Sequence, residues 1–182
     1  MALPAFAACL VEHDQPEIER VIARFPDEKE HKALWRLADA DCLSSGELTM
    51  TDQLLRGALY AELYRRSYSY HAPSISGAGI DWWADTTGQP DGDANNYVAL
   101  RQFAECLVLK HPEESRQLML VPPRSHREDE ALGAMVPDMG PCLVAGVELK
   151  FSKPVVEGLI AEALYRLSVR GAAASAATHA SQ

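Results

Sequence analysis

The chain has 182 residues, enough for one domain or for two small halves packed together. Its net charge of -9 and the lack of a basic stripe argue against nucleic acid and against an anionic membrane surface, because both reward clustered lysine and arginine. No apolar run approaches the roughly 18 residues of a membrane-spanning helix, so no membrane span is predicted.

An internal duplication is the most informative pattern in the sequence. Residues 6–11 return as residues 103–108 with five of six residues identical. Further matches follow in the same order, among them Pro16 with Pro112, Cys42 with Cys142, Gly57 with Gly158, and Leu63-Tyr64-Arg65 with Leu164-Tyr165-Arg166. We therefore predict a tandem duplication of a unit of about 65 residues, covering 3–70 and 98–170.

Each copy is predicted to begin with two helices. The first covers about residues 4–13 in copy one, where apolar side chains recur at helical spacing. A short second helix starts at Pro16 or Pro112, because a residue without an N–H is tolerated in a first helical turn. The second helix ends before the next proline, since the residue before a proline avoids the helical region.

A third helix is predicted from a capping-box pattern, Asp27 with Glu30 in copy one and Ser125 with Glu128 in copy two. In copy two we expect Pro137 to end it. The next stretch has strand-like alternation but is short, which favours an extended connector. Its apolar residues are Leu48 and Met50 in copy one and Val147, Leu149 and Phe151 in copy two.

The fourth and longest helix is predicted to start after Thr51 or Ser152, both favourable N-caps. Its apolar stripe comprises Leu54, Leu55, Leu59 and Leu63 in copy one and Val155, Val156, Ile160 and Leu164 in copy two. Gly57 and Gly158 interrupt these helices at a cost of about 1 kcal/mol relative to alanine, which indicates a close helix crossing.

With four helices in each copy and little strand propensity, the predicted fold is an all-α, pseudo-twofold helical bundle. Residues 171–182 are rich in alanine and serine and lack apolar periodicity. We predict that they form a disordered tail.

All four cysteines lie in the repeat, two in each copy. We predict bridges within each copy, Cys9 to Cys42 and Cys106 to Cys142, at separations of 33 and 36 positions. Chain entropy assigns about 3.5–4 kcal/mol to each bridge. The alternative is four buried free thiols. Bridges would indicate a periplasmic or exported protein whose true start lies upstream, whereas reduced thiols would indicate the cytoplasm.

A metal site at Cys9 and His13, four residues apart, is a third interpretation of the cysteines. In copy two the corresponding His111 is five residues from Cys106, which rotates it away from the cysteine on a helix. We therefore predict no metal and no other cofactor.

Residues 71–97 form an aromatic-rich insert between the copies that is too long for a simple link. Its candidate binding residues are His71, Asp81, Trp82, Trp83 and Asp85. These residues form a binding lip with aromatic anchors, or else the two tryptophans fill the seam between the copies. Packing favours the second interpretation, since helices packed pairwise leave grooves that large aromatic side chains fill.

The sequence contains no standard catalytic signature. The predicted function is therefore a non-enzymatic helical-repeat module that binds a protein or peptide, as a monomer or an oligomer. The alternative is a small hydrolase or ligand-binding protein with a site at the seam, formed by His71 with Asp81 or Asp85. A pocket in which His71 faces a carboxylate would favour this alternative.

Overall fold

The computed structural model describes residues 2–38, 40–43, 49–75, 79–143 and 152–180. These residues form helices and no strand, which confirms the all-α class. The α-helices are α1 (Ala2–Ile22), α2 (Glu28–Leu37), α3 (Asp52–Tyr68), α4 (Asp91–Lys110), α5 (Pro112–Leu120), α6 (His126–Cys142) and α7 (Lys153–Ala180). Two 3-10 turns cover Ala40–Cys42 and Trp82–Thr86. None of the described helices combines the length and apolarity needed to cross a membrane.

The backbone leaves the helical conformation shortly before Pro16 and again shortly before Pro112. Within α1, Asp14 leaves the helical region with φ -153° and ψ 70°. His111, between α4 and α5, has φ -129° and ψ 59°. Pro16 and Pro112 follow these breaks, so each proline lies in the first turn of a new helical segment, where its missing N–H leaves no hydrogen bond unmade.

The predicted N-caps are present at three helix starts. The Asp27 side chain accepts a hydrogen bond from the backbone N–H of Glu30 at 2.9 Å, and Ser125 accepts one from Glu128 at 3.2 Å. Thr51 accepts one from Leu54 at 3.4 Å. Each side chain thus satisfies an N–H that has no partner within its own helix.

The predicted C-terminal ends of two helices, α6 and α7, are wrong. Helix α6 continues through Pro137 and Pro141 to Cys142. A proline removes only one helical hydrogen bond, and the buried Met135 and Cys142 keep the later part of α6 packed in the core. Residues 171–180 continue α7 instead of forming a disordered tail. Alanine has the highest helix propensity, so a packed helix propagates into this alanine-rich segment.

The predicted connector lies mostly outside the described residues. Met50 is described and belongs to no helix or strand. Leu48, Val147, Leu149 and Phe151 lie outside the described ranges.

Helices α3 and α7 form the centre of the bundle, with α1 packed on α3 and with α4 and α5 packed on α7. Most of the predicted apolar stripes are buried, namely Leu55, Leu59, Leu63, Val156, Ile160 and Leu164. Leu54 and Val155, at the edge of each stripe, are half-buried. The core therefore lies along the two longest helices, as their periodicity predicts.

Helices α3 and α7 cross at Gly57 and Gly158, which confirms the predicted close approach. A Cβ atom added to Gly57 would lie 2.5 Å from the Cα atom of Gly158. A Cβ atom added to Gly158 would lie 3.0 Å from the Cα atom of Gly57. Only glycine allows the two backbones to approach this closely.

Replacing Gly57 by alanine is expected to lower the free energy of unfolding by about 1–3 kcal/mol, because two packed backbones must separate. The gain in helix propensity, about 1 kcal/mol, opposes this loss without cancelling it. The matched control is Gly133→Ala on α6, where an added Cβ meets nothing within 4 Å and stability should hold or rise. Urea unfolding measures both variants. Equal stability of Gly57→Ala and the original protein would contradict the close crossing.

Candidate functional site

Both predicted cysteine pairs lie at disulfide distance, with a Cα–Cα separation of 5.6 Å in each. Cys9 joins α1 to the 3-10 turn that contains Cys42. Cys106 joins α4 to the last turn of α6 at Cys142. The predicted pairing is confirmed for both pairs of cysteines, and each bridge ties a helix to a later segment of the chain.

His13 lies beside the first bridge. Its Nε2 atom is 3.9 Å from Sγ of Cys9, and its Nδ1 atom is 4.0 Å from Sγ of Cys42. These side chains offer three metal-ligand atoms within 4.8 Å of one another. A cysteine binds a metal as a thiolate, and bridged sulfurs carry no thiolate. The bridged state is therefore unsuited to a metal.

The two tryptophans of the insert have different environments. Trp82 is buried, donates from Nε1 to Oε2 of Glu105 at 2.6 Å, and packs under the guanidinium of Arg166 at 4.4 Å. The other carboxylate oxygen of Glu105 accepts the backbone N–H of Ile80 at 2.8 Å. Trp83 is half exposed. Only Trp82 therefore fills the core, and Glu105 fastens the insert to α4.

The two candidate carboxylates of the insert, Asp81 and Asp85, contact other partners than His71. Asp81 accepts from the backbone N–H of Ala84 at 3.3 Å and caps the 3-10 turn. Asp85 accepts from Nη1 of Arg166 at 2.5 Å and from the hydroxyl of Tyr97 at 3.0 Å. His71 is exposed, and within the described ranges it forms no pair with either carboxylate.

A cleft of about 620 Å³ opens where α2, α3, α4 and α7 meet beside the glycine crossing. We call it the seam cleft. Its buried floor consists of Arg56, Tyr97, Arg101 and Glu162, and its apolar wall consists of Phe25, Leu100 and Leu159. Its outer rim consists of Asp27, Glu28, Asp52, Gln53, Asp93 and Asn96. The cleft thus combines apolar walls with a few convergent polar groups, as small-ligand sites commonly do.

Two floor residues, Arg101 and Glu162, form a buried ion pair. Nε of Arg101 donates to Oε1 of Glu162 at 3.1 Å, and its Nη2 atom is 2.9 Å from Oε2. The guanidinium also stacks on the ring of Tyr97, 3.4 Å from the ring centroid. Burial raises the pKa of Tyr97, so its hydroxyl stays protonated and donates to Asp85. Both oxygens of Glu162 are therefore engaged by Arg101.

The remaining floor cation, Arg56, forms no ion pair within the part of the chain that the structure describes. Its side chain is buried, with 4% of the residue exposed. Both of its hydrogen bonds leave from Nη2, to the carbonyl of Ile22 at 2.6 Å and to that of Arg24 at 2.9 Å. Its Nε atom is buried without an acceptor, and no described carboxylate forms an ion pair with it. Among the described residues, the floor therefore carries one positive charge without an ion-pair partner.

The rim of the seam cleft is acidic, and hydrogen bonds fix some of its side chains. Asp52 accepts from Nε1 of Trp35 at 2.7 Å, and its second oxygen lies 2.6 Å from Nδ1 of His31. The backbone N–H of Glu30 keeps the pKa of Asp27 below its usual range, so Asp27 is ionised at neutral pH. The cations among the residues lining this cleft are the two buried arginines.

A second cleft of about 280 Å³ lies on the other side of the same crossing and also contains Gly57 and Gly158. Glu157 precedes Gly158 there, as Arg56 precedes Gly57. Lys153 donates from Nζ to Glu128 and Asp129, at 2.6 Å each, and stands 3.7 Å from Glu157. Burial and the neighbouring Glu128 carboxylate raise the pKa of Glu157 to about 7. The two clefts therefore place opposite charges beside the crossing.

The sequence offers one signal for these clefts, the charge reversal between Arg56 and Glu157 immediately before the two crossing glycines. It does not show that Arg101 and Glu162 lie beside Arg56. A comparison with protein-family models, curated proteins and solved structures finds no match.

Proposed function

We propose that the protein is a non-enzymatic binding module, built from two copies of one helical unit, whose ligand occupies the seam cleft. The observation that carries this proposal is the buried guanidinium of Arg56 on the floor of the cleft. Burying a charge without a counter-charge costs several kcal/mol, even when some hydrogen bonds remain. A bound group that supplies the missing acceptor offsets part of this cost.

The size and walls of the cleft support a ligand of moderate size. Its volume, about 620 Å³, falls within the range of roughly 300–1,000 Å³ that is typical of ligand sites. The wall residues Phe25, Leu100 and Leu159 provide apolar surface. The rim side chains Gln53 and Asn96 are exposed and provide hydrogen-bonding groups. A small molecule or a short segment of a peptide fits this combination.

The proposal includes the internal duplication of residues 3–70 and 98–170. The matching backbone breaks, the two bridges and the crossing at the matched glycines support it. So do the matched tyrosines, each of which contacts the other copy. The hydroxyl of Tyr64 accepts from Arg116 at 3.2 Å, and that of Tyr165 donates to Glu19 at 3.0 Å. A cleft at such a seam receives residues from both copies.

The contacts of the insert favour binding over the hydrolase alternative at His71. Asp81 caps a turn and Asp85 pairs with Arg166, so both carboxylates have structural partners. The two bridges favour an oxidising compartment, and we place the protein outside the cytoplasm.

A pair of adjacent asparagines tests the location of the site. Asn96 lines the seam cleft, whereas its neighbour Asn95 is exposed on α4 outside the cleft. We expect Asn96→Trp to fill the cleft and weaken ligand binding at least tenfold, and Asn95→Trp to leave binding unchanged. The measurement is a nitrogen-proton correlation NMR titration against a library of short peptides and of anionic, cationic and neutral small molecules. Ligands of the original protein should shift the signals of Arg56, Tyr97 and Arg101.

Two outcomes would overturn the proposal. The first is a library in which no compound shifts the signals of the cleft residues. The second is a set of ligands that bind Asn96→Trp as tightly as the original protein, because their site then lies elsewhere.

A further inference from the structure

We propose that the ligand of the seam cleft is a zwitterion that places a carboxylate on Arg56 and an ammonium group among the rim carboxylates. This inference rests on the proposed function and names the ligand chemistry of the same site. Free amino acids and short peptides share this chemistry.

We place the ligand carboxylate at the floor because Arg56 there has no ion-pair partner among the described residues. Glu162 is the floor carboxylate, and Arg101 engages both of its oxygens. Arg56 contacts two neutral carbonyls through one nitrogen, and its Nε atom has no acceptor. A carboxylate that reaches the guanidinium forms charge-assisted hydrogen bonds, which are roughly twice as strong as neutral ones. The low polarity of the surrounding apolar wall strengthens them further.

The ammonium group belongs at the rim because the charges there are negative. Asp27, Asp52 and Asp93 stand at the outer edge of the cleft on three different helix starts, and Asp93 is exposed. A simple anion would meet repulsion from these carboxylates on its way to Arg56. A simple cation would be attracted to the rim but repelled by the floor. A ligand that carries both charges is favoured at both places when its carboxylate enters first, because the carboxylate then reaches the floor and the ammonium group stays at the rim.

The second cleft has the reverse polarity, which supplies an internal comparison. Glu157 stands there in the place of Arg56, and Lys153 stands in the place of Asp52, at the same spacing before the crossing glycine. In each cleft, the residue before the crossing glycine is expected to set the charge of the ligand group that binds. A change at Glu157 should therefore leave the preference of the seam cleft for a carboxylate unaltered. Glu157→Gln is therefore the matched control for Arg56→Gln.

The first experiment uses the unmodified protein and three probes with one apolar body. These are leucyl-leucine, its C-terminal amide and its N-acetyl derivative. Isothermal titration calorimetry at pH 7 should give the tightest binding for the zwitterion. Removing the carboxylate should weaken binding at least tenfold, the size of one charge-assisted contact. Removing the ammonium charge, which faces the exposed rim, should weaken it about threefold. Amide and zwitterion binding equally well would overturn the inference.

The second experiment repeats the titration with variants. Arg56→Gln should erase the difference between leucyl-leucine and its amide, whereas Glu157→Gln should keep it. Asp93→Asn removes one exposed charge among the rim carboxylates and should reduce only the difference between leucyl-leucine and its N-acetyl form. If Arg56→Gln fails to fold, the amide probe and Asp93→Asn still decide the outcome. Retention of the full amide difference in a folded Arg56→Gln would overturn the role of Arg56.

The two proposals fail in different ways. In one case, neutral compounds of the library bind the cleft, Asn96→Trp abolishes their binding, and the zwitterion binds no more tightly than they do. The binding function then holds, and the proposed ligand chemistry is wrong. If no compound of any charge binds the cleft, both proposals are wrong.

A series of leucine, leucyl-leucine and trileucine distinguishes a free amino acid from a short peptide as the ligand. Equal affinity along the series indicates a free amino acid, and rising affinity indicates a peptide.

Discussion

Reduction of both disulfides is expected to lower the free energy of unfolding by about 7–8 kcal/mol, since chain entropy assigns about 3.5–4 kcal/mol to each bridge. The bridges close loops of similar length, with sequence separations of 33 and 36, so the two contributions should be similar. Domains are usually stable by about 5–15 kcal/mol, so the reduced protein should be marginal. Guanidinium chloride unfolding with and without a phosphine reductant measures the difference.

Two double variants separate the bridges. Cys9→Ala with Cys42→Ala removes the first bridge, and Cys106→Ala with Cys142→Ala removes the second. Each should lose about 3.5–4 kcal/mol in the absence of reductant. Mass spectrometry of the untreated original protein should find no free thiol. A combined loss below about 1 kcal/mol on reduction would contradict the assigned contribution of the bridges.

Replacing Glu162 by glutamine is expected to lower the free energy of unfolding by about 3–5 kcal/mol. The change leaves Arg101 buried without its counter-charge, and an unpaired buried charge is strongly destabilising. Arg56 adds a second uncompensated cation on the same cleft floor. Urea unfolding at pH 7 measures the loss.

An exposed pair and a neutral pair serve as controls for this prediction. Glu130 lies 3.2 Å from His126 with both side chains exposed, so Glu130→Gln should change stability by less than about 0.5 kcal/mol. Combining Arg101→Met with Glu162→Leu should recover most of the loss, because a buried ion pair can be replaced by apolar side chains. A Glu162→Gln variant as stable as the original protein would show that the buried pair has no stabilising role.

Local rules and internal comparison account for most of what the sequence predicts correctly. The caps at Asp27, Ser125 and Thr51 follow from side chains that hydrogen-bond to N–H groups two or three residues away. The cysteine pairing follows from the matching sequence around Cys9 and Cys106 and from the similar spacing to Cys42 and Cys142. The crossing follows from the glycines Gly57 and Gly158, which stand inside helices where alanine would be the better helix former.

The features that the sequence predicts wrongly or misses depend on packing between distant segments. Pro137 would end an isolated helix, but contacts with the core carry α6 past it. Trp82 and Trp83 are adjacent, and only the path of a short turn decides which of them is buried. The seam cleft joins residues about 60 positions apart, such as Arg101 and Glu162, which no local pattern connects.

The glycine crossing lies within one chain, so the residues that precede its two glycines can be substituted independently. In a dimer of identical chains, twofold symmetry repeats every residue, so an arginine before one crossing glycine requires an arginine before the other. Here Arg56 and Glu157 occupy the two places, because one chain encodes each of them separately. A substitution at Arg56 or at Glu157 therefore changes the charge in one cleft without imposing the same change on the other. Two surfaces on a shared scaffold can thus acquire different specificities one substitution at a time.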